Sequence, residues 1–134
     1  MKMRLPGTRA FFRGTGGAAA IEFAIVGNVF ILLLIGTAYV SVMLWHAANL
    51  DWAVEAGSRV AAINSSATQT DVSTAVNNYL SSVGMGAATI AYTVTTTGGV
   101  KVGQISASKT ETFNVPLLNN YHITFHSNAN VPLL

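Results

Sequence analysis

A continuous apolar run from Ala18 to Leu44 constrains the fold of this chain more than any other feature. Glu22 is the only Asp, Glu, Lys, Arg or His within it. A helix over this span would be about 40 Å long, which exceeds the ~30 Å hydrocarbon core of a bilayer. Because the bilayer interior offers no water to unpaired backbone groups, a single crossing segment must be helical. The run therefore predicts one membrane-spanning helix over residues 18–44.

The charges of the chain lie unevenly around this run. Residues 1–17 hold four basic side chains and no acidic one, namely Lys2, Arg4, Arg9 and Arg13. Basic residues at one end of a membrane helix keep that end in the cytoplasm. We therefore expect a cytoplasmic N-terminus and an extracytoplasmic C-terminal part. The positive net charge comes from this short leader, so it gives no reason to expect a nucleic-acid partner.

A cleaved secretory signal is the competing interpretation of the same region. The apolar core of such a signal usually has about 7–15 residues and is followed by a small-residue cleavage site. In this chain the apolar run is far longer, and the small-residue cluster lies before it. The lengths favour a membrane anchor over an ordinary signal peptide.

The helix is predicted to continue past the membrane face as far as Ile63. Between Trp45 and Ile63 there is no Pro, and Gly57 is the only Gly. Trp45 and Trp52 suit a membrane interface, where an amphipathic ring keeps one edge in water. Small residues in this part either favour helix formation or let a neighbouring helix approach closely. They are Ala47, Ala48, Ala53, Ala56, Gly57, Ala61 and Ala62.

A second, shorter helix is predicted after a polar break at residues 64–70. Thr70 or Asp71 is its expected N-cap, and Gly84 and Gly86 are expected to end it. Its apolar residues recur at the spacing of one helical stripe. They are Val72, Ala75, Val76, Tyr79, Leu80 and Val83.

Beyond this helix the pattern changes to the alternation that is typical of β-strands. Gly98-Gly99 predicts a two-residue hairpin turn, and Asn119-Asn120 predicts a further turn. The apolar alternating residues are Ile90, Tyr92 and Val94, then Val100 and Val102, then Ile105, Ala107, Phe113, Val115 and Leu117, and finally Tyr121, Ile123, Phe125 and Ala129. We expect three or four antiparallel strands, with the apolar face covered by the second helix or by the base of the long one.

The predicted fold class is α+β, carried by a long N-terminal transmembrane helix. With 51% hydrophobic and 9% charged residues, the chain is too apolar for an ordinary soluble domain, and the anchor accounts for much of the excess. In chain order we expect a basic leader at 1–17, a transmembrane helix at 18–44, its extracytoplasmic continuation at 45–63 and a small α+β domain at 64–134.

Catalytic chemistry has little support in the sequence. His122 and His126 would lie about 13 Å apart on one strand face, too far for a shared metal ion. His46 is distant along the chain, and we expect all three histidines at the surface or at an interface. There is no Cys and no nucleophile elbow. We therefore predict no catalytic or metal-binding residues, no cofactor and no small-molecule substrate.

The start of the apolar run resembles a type IV prepilin processing site. A basic leader is followed by Gly17 and then by Glu22 at the fifth position after it. More narrowly, Gly17-Ala-Ala-Ala-Ile-Glu-Phe-Ala is similar to the TadE/TadG-like minor pseudopilins of tight-adherence (Flp) pili. The resemblance continues through Ala53-Val-Glu-Ala-Gly-Ser-Arg-Val-Ala-Ala and, more loosely, through Phe113-Asn-Val-Pro-Leu-Leu.

The resemblance implies a cleavage site between Gly17 and Ala18, with Glu22 and Phe23 serving processing and assembly. It implies a single-pass protein of the bacterial inner membrane, cleaved by a prepilin peptidase, that works with other pilin subunits and the pilus assembly machinery. Its role would be structural and not enzymatic. The alternatives are an uncleaved anchor that displays a binding module, and a pseudopilin of a type II secretion system or a type IVa pilus.

Overall fold

The computed structural model describes residues 15–114 and 120–133, which form two helices and a three-stranded antiparallel sheet. In chain order the elements are α1 (Thr15–Ile63), α2 (Gln69–Ser82), β1 (Thr89–Thr97), β2 (Val100–Phe113) and β3 (Tyr121–Leu133). The predicted α+β class is confirmed. The predictions for Val115, Leu117 and the turn at Asn119 lie outside the described residues, as does most of the leader.

The chain divides into two compact units, one ending at Ser41 and one beginning at Val42, and α1 runs through both. In the first unit α1 begins at Thr15, which corrects the predicted start near Ala18. Gly17 therefore lies inside the first turn. Each Gly costs a helix about 1 kcal/mol relative to Ala, but the three alanines that follow are the best helix formers. They outweigh the glycines and extend the helix toward the N-terminus.

The second unit is a layer of helix packed on one face of the sheet. The part of α1 after Val42 lies along β3, where Ser127 Oγ donates a 2.6 Å hydrogen bond to Asp51 Oδ1. α2 lies along β1, where Asn77 Oδ1 accepts a 3.0 Å hydrogen bond from the Ala88 backbone N–H. The largest fully buried side chains come from both helices and from β2, and they are Leu50, Leu80, Ile105, Val54, Val72 and Val76. Burying each contributes about 1.5–3 kcal/mol.

The ends of α2 are fixed by two local motifs. Thr68 is the N-cap: its hydroxyl accepts from the Asp71 backbone N–H, and the Asp71 carboxylate accepts from the Thr68 backbone N–H. The predicted caps, Thr70 and Asp71, are therefore wrong, because Asp71 closes a capping box from the third helical position. At the other end the Gly84 N–H bonds to Ser81 O and the Met85 N–H to Leu80 O, with Gly84 at φ +75°. This is a Schellman motif.

The hairpin between β1 and β2 confirms the predicted two-residue turn. Thr97 pairs with Val100, and Gly98 and Gly99 both have positive φ, +60° and +83°. Both central residues of a type I′ turn need positive φ, which Gly adopts without strain. The register sets Tyr92 opposite Ile105, so the apolar residues of the two strands share the face that the helices cover.

At Gly57 of α1, side chains of α2 lie very close to the helix backbone. A Cβ on Gly57 would lie 2.7 Å from Val76 Cγ2 and 3.2 Å from Val72 Cγ1. Ala53 and Ala61, one turn to either side, are fully buried. The small residues on this face of α1 therefore serve close packing against α2 of the same chain.

The free edge of β1 is covered by one side chain of α2. Gln69 Nε2 donates to the Ile90 carbonyl at 2.7 Å, and Gln69 Oε1 accepts from the Tyr92 backbone N–H at 2.6 Å. Both backbone groups point away from β2, because β1 is an edge strand in the order β1-β2-β3. One carboxamide thus takes the place that a neighbouring strand would occupy.

Candidate functional site

The four residues predicted for processing and assembly lie on the first turns of α1. Gly17, Ala18, Glu22 and Phe23 are all in helical conformation and exposed. Ala18 and Glu22 are four residues apart, so they lie on one helix face with their Cβ atoms about 5–6 Å apart. The structure therefore brings together the residue expected to become the new N-terminus and the only acidic side chain of the apolar run.

Gly17 has no packing role in the described part of the chain. A Cβ built on it meets no heavy atom within 4 Å, in contrast to Gly57. Its small size is therefore not required by packing against any of the described residues.

Glu22 has no charged neighbour among the described residues. The ion pairs found there join His46 to Glu111, Arg59 to Glu55 and Lys109 to Glu111, all of them in the second unit. A carboxylate on an exposed apolar helix is costly in lipid, by a few kcal/mol or more when it lies deep. No charged group in residues 15–114 or 120–133 therefore compensates for the position of Glu22.

A buried polar cluster in the second unit was not predicted from the sequence. Lys109 and Glu111 lie on the helix-covered face of β2, and Lys109 is 9% exposed. Lys109 Nζ is 3.1 Å from Glu111 Oε1 and donates to the Ala87 carbonyl at 3.4 Å. His46 Nδ1 is 3.5 Å from the same carboxylate oxygen, near enough for an ion pair but without hydrogen-bond geometry.

His46 was expected, like the other two histidines, at the surface or at an interface, and it lies where α1 meets the sheet. Its ring stacks on Phe125 at 6.1 Å between centroids and meets Phe113 edge-on at 5.8 Å. His122 and His126 are exposed on the opposite face of β3, as expected, and His122 Nδ1 is 2.9 Å from Thr112 Oγ1. The cluster fixes α1 on the sheet and has the character of a structural contact. Within residues 15–114 and 120–133, no group of three His, Asp or Glu side chains is placed to hold a metal ion.

Within residues 15–114 and 120–133, one helix is long and apolar enough to be a candidate membrane span. It is exposed over its first part and is followed by a small α+β unit. Residues 17–59 match the family model for TadE-like protein, which confirms the resemblance over this segment. The match begins at Gly17 and ends on α1, and the TadE-like family suggests an involvement in tight-adherence pili. No curated protein and no solved structure matches the chain.

Proposed function

We propose that this chain is a minor pseudopilin of tight-adherence pili, held in the bacterial inner membrane by α1 and cleaved by a prepilin peptidase between Gly17 and Ala18. The match to the TadE-like family over residues 17–59 carries this proposal, because it begins at the residue proposed as the last of the leader. The mature protein takes part in pilus assembly together with other pilin subunits. It is a structural component and the substrate of an enzyme.

The surroundings of Gly17 support a cleavage site there. The residue has open space around it, and a residue without Cβ leaves its peptide bond accessible to a protease. The first four N–H groups of a helix have no partner within the helix, so its first turn opens more easily than its interior. A peptidase at the membrane face would therefore meet an accessible bond.

Cleavage would also give Glu22 a partner. It removes the basic leader and creates an α-amino group on Ala18, which is mostly cationic at neutral pH. This amine lies one turn before Glu22, within reach on the same helix or on a neighbouring subunit. In a medium of low dielectric constant such a pair is much stronger than at a protein surface.

The test is the intact mass of the full chain purified from membranes of cells with and without the prepilin peptidase. We expect 117 residues to remain after loss of 1–17 (134 − 17 = 117), and only where the peptidase is present. Gly17→Leu should stay full length. Gly36→Leu is the matched control, since Gly36 also has open space around it, and this variant should be cleaved. Full-length protein in wild-type cells would contradict the proposal and favour an uncleaved anchor.

A further inference from the structure

Asn28 is a carboxamide in the middle of the apolar run, and the described residues give it no hydrogen-bond partner. Two of the hydroxyl side chains further along the run, Thr37 and Ser41, differ in this respect. Thr37 Oγ1 donates to the Leu34 carbonyl and Ser41 Oγ to the Thr37 carbonyl, both at 2.8 Å. These two side chains are satisfied by their own helix, whereas the donors and the acceptor of Asn28 are left open.

The position of Asn28 in the membrane follows from the proposed function, on which this inference rests. Asn28 is ten residues beyond Ala18, so it lies about 15 Å along the helix, near the middle of a ~30 Å hydrocarbon core. Its short side chain cannot extend to the headgroups in the way that Lys or Arg does. An amide left unpaired in such a medium is unfavourable by several kcal/mol. A carboxamide can donate one hydrogen bond to its own helix, as Asn49 Nδ2 does to the Trp45 carbonyl at 2.8 Å. Its oxygen has no free N–H within a helix interior, so this acceptor needs a donor from another helix.

A second copy of the chain supplies that partner at the right depth. A carboxamide has both donors and an acceptor, so two of them can exchange two hydrogen bonds. Each copy carries the same basic leader, which gives both the same orientation. Two parallel copies thus bring their Asn28 residues level with each other.

The surface around Asn28 permits close approach. Ala24 lies one turn before it and Gly27 beside it, and a Cβ on Gly27 would meet no heavy atom within 4 Å. Small residues at such positions let two membrane helices come near enough for side-chain hydrogen bonds. Glu22 is six residues earlier, which places it roughly 120° around the helix from Asn28. Contact at Asn28 therefore leaves Glu22 free.

We propose that Asn28 pairs with Asn28 of a second copy inside the membrane, so that the protein forms a parallel dimer through this face of α1. The full chain, reconstituted in phosphatidylethanolamine–phosphatidylglycerol vesicles, tests this by energy transfer between labelled copies. Asn28→Leu should raise the dimer dissociation constant about three- to thirty-fold, the range that interhelical hydrogen bonds cover. Asn28→Gln should keep part of the association. Thr37→Val is the matched control and should leave it unchanged, because Thr37 bonds to its own helix.

Disulfide cross-linking locates the contact, since the described residues contain no free cysteine and the sequence has none. A single Cys at Ala24 should link two copies, and this link should weaken with Asn28→Leu. A single Cys at Val26, on the opposite side of the helix, should not link them. Unchanged association of Asn28→Leu, equal linking from both positions, or linking only to a different membrane protein would each overturn the proposal.

Failure of this inference can be distinguished from failure of the proposed function. Protease protection in the same vesicles reports whether α1 spans the bilayer, and the mass of the protein reports cleavage. A chain that is inserted and cleaved but does not associate through Asn28 contradicts the dimer alone. A chain that does not insert contradicts both.

Discussion

Glu22 is an unfavourable residue for a simple membrane anchor. Its carboxylate lies on an exposed turn of α1 without a charged neighbour among the described residues. An uncleaved anchor would gain a few kcal/mol in lipid if Glu22 were replaced by an apolar residue. In the proposed pseudopilin the same carboxylate pairs with the amine of Ala18. It thereby fixes the axial register between apolar helices that otherwise have few features.

We therefore expect Glu22→Ala to be inserted and cleaved but to support no pilus assembly. Glu22→Asp should be intermediate, because it keeps the charge and shortens the reach. Glu22→Gln, which keeps the shape and loses the charge, should behave like Glu22→Ala. Piliation counted by electron microscopy, with the mass of the protein as a check on cleavage, measures the effect. Normal piliation of Glu22→Ala would favour the anchor without cleavage.

The buried cluster shows which residue-level contacts were predictable. Lys109 and Glu111 share odd numbering with Ile105, Ala107 and Phe113, so their place on the covered face of β2 could have been derived from alternation alone. A charged side chain usually faces solvent, but these two lie on the covered face, where Lys109 Nζ is 3.1 Å from Glu111 Oε1. His46 could not have been assigned, because its contacts with β2 and β3 depend on how α1 docks on the sheet. That docking arises from tertiary packing over a long stretch of sequence.

At the scale of elements, the start of α2 depends on a reciprocal pair of hydrogen bonds. The Thr68 backbone N–H and then the Thr68 hydroxyl, both donating to Asp71, hold the pKa of the Asp71 carboxyl below its ordinary value. A lowered folded-state pKa means that the ionised carboxylate stabilises the folded chain. This contribution is complete above the ordinary value of about 3.9 and is lost as the pH falls through the lowered one.

Thr68→Ala should reduce the free energy of unfolding by about 0.5–2 kcal/mol at neutral pH, the usual effect of losing an N-cap. Thr68→Ser, which keeps the hydroxyl, is the control and should change little. Asp71→Asn should remove the pH-dependent contribution that the Asp71 carboxylate makes to the free energy of unfolding. Below about pH 4 the free energy of unfolding of this variant should therefore fall less than that of the wild type. Urea unfolding of the full chain in detergent micelles, followed by circular dichroism, measures all three. If acid lowered the free energy of unfolding equally in Asp71→Asn and in the wild type, the stabilising role of the Asp71 carboxylate would be contradicted.

The elements themselves were predicted well where a local pattern determined them. The apolar stripe of α2, the Gly98-Gly99 turn and the end of α2 at Gly84 each depend on neighbouring residues in sequence. The predicted start of α1 was three residues too late, and the predicted N-cap of α2 was at least two residues too late. Helix ends depend on several small free-energy contributions of similar size, so their exact residues are hard to predict. The role of Gln69 at the edge of β1 depends on contacts with residues more than twenty positions away, which no local pattern reveals.

At the scale of the whole molecule, the proposed orientation follows from charge. Four basic residues precede the anchor, and no Lys or Arg occurs again until Arg59. Such a bias keeps the N-terminus in the cytoplasm. Alkaline phosphatase fused to the C-terminus should therefore be active, since it folds only after export. Replacing the four basic residues of the leader by Gln should lower that activity, and activity of a cytoplasmic reporter at the same position would contradict the orientation.

The Gln69 carboxamide also limits how copies crowded in a membrane could join their sheets. β1 and β3 are the two edges of the sheet. If β1 of one copy paired with β3 of the next, a free edge would remain at each end, and the assembly could grow into a fibre without limit. Pairing of β3 with β3 would stop at two copies. Because Gln69 already occupies the outward Ile90 and Tyr92 groups of β1, it stands in the way of the unlimited route. One side chain of α2 thus disfavours open-ended polymerisation of the chain through the β1 edge.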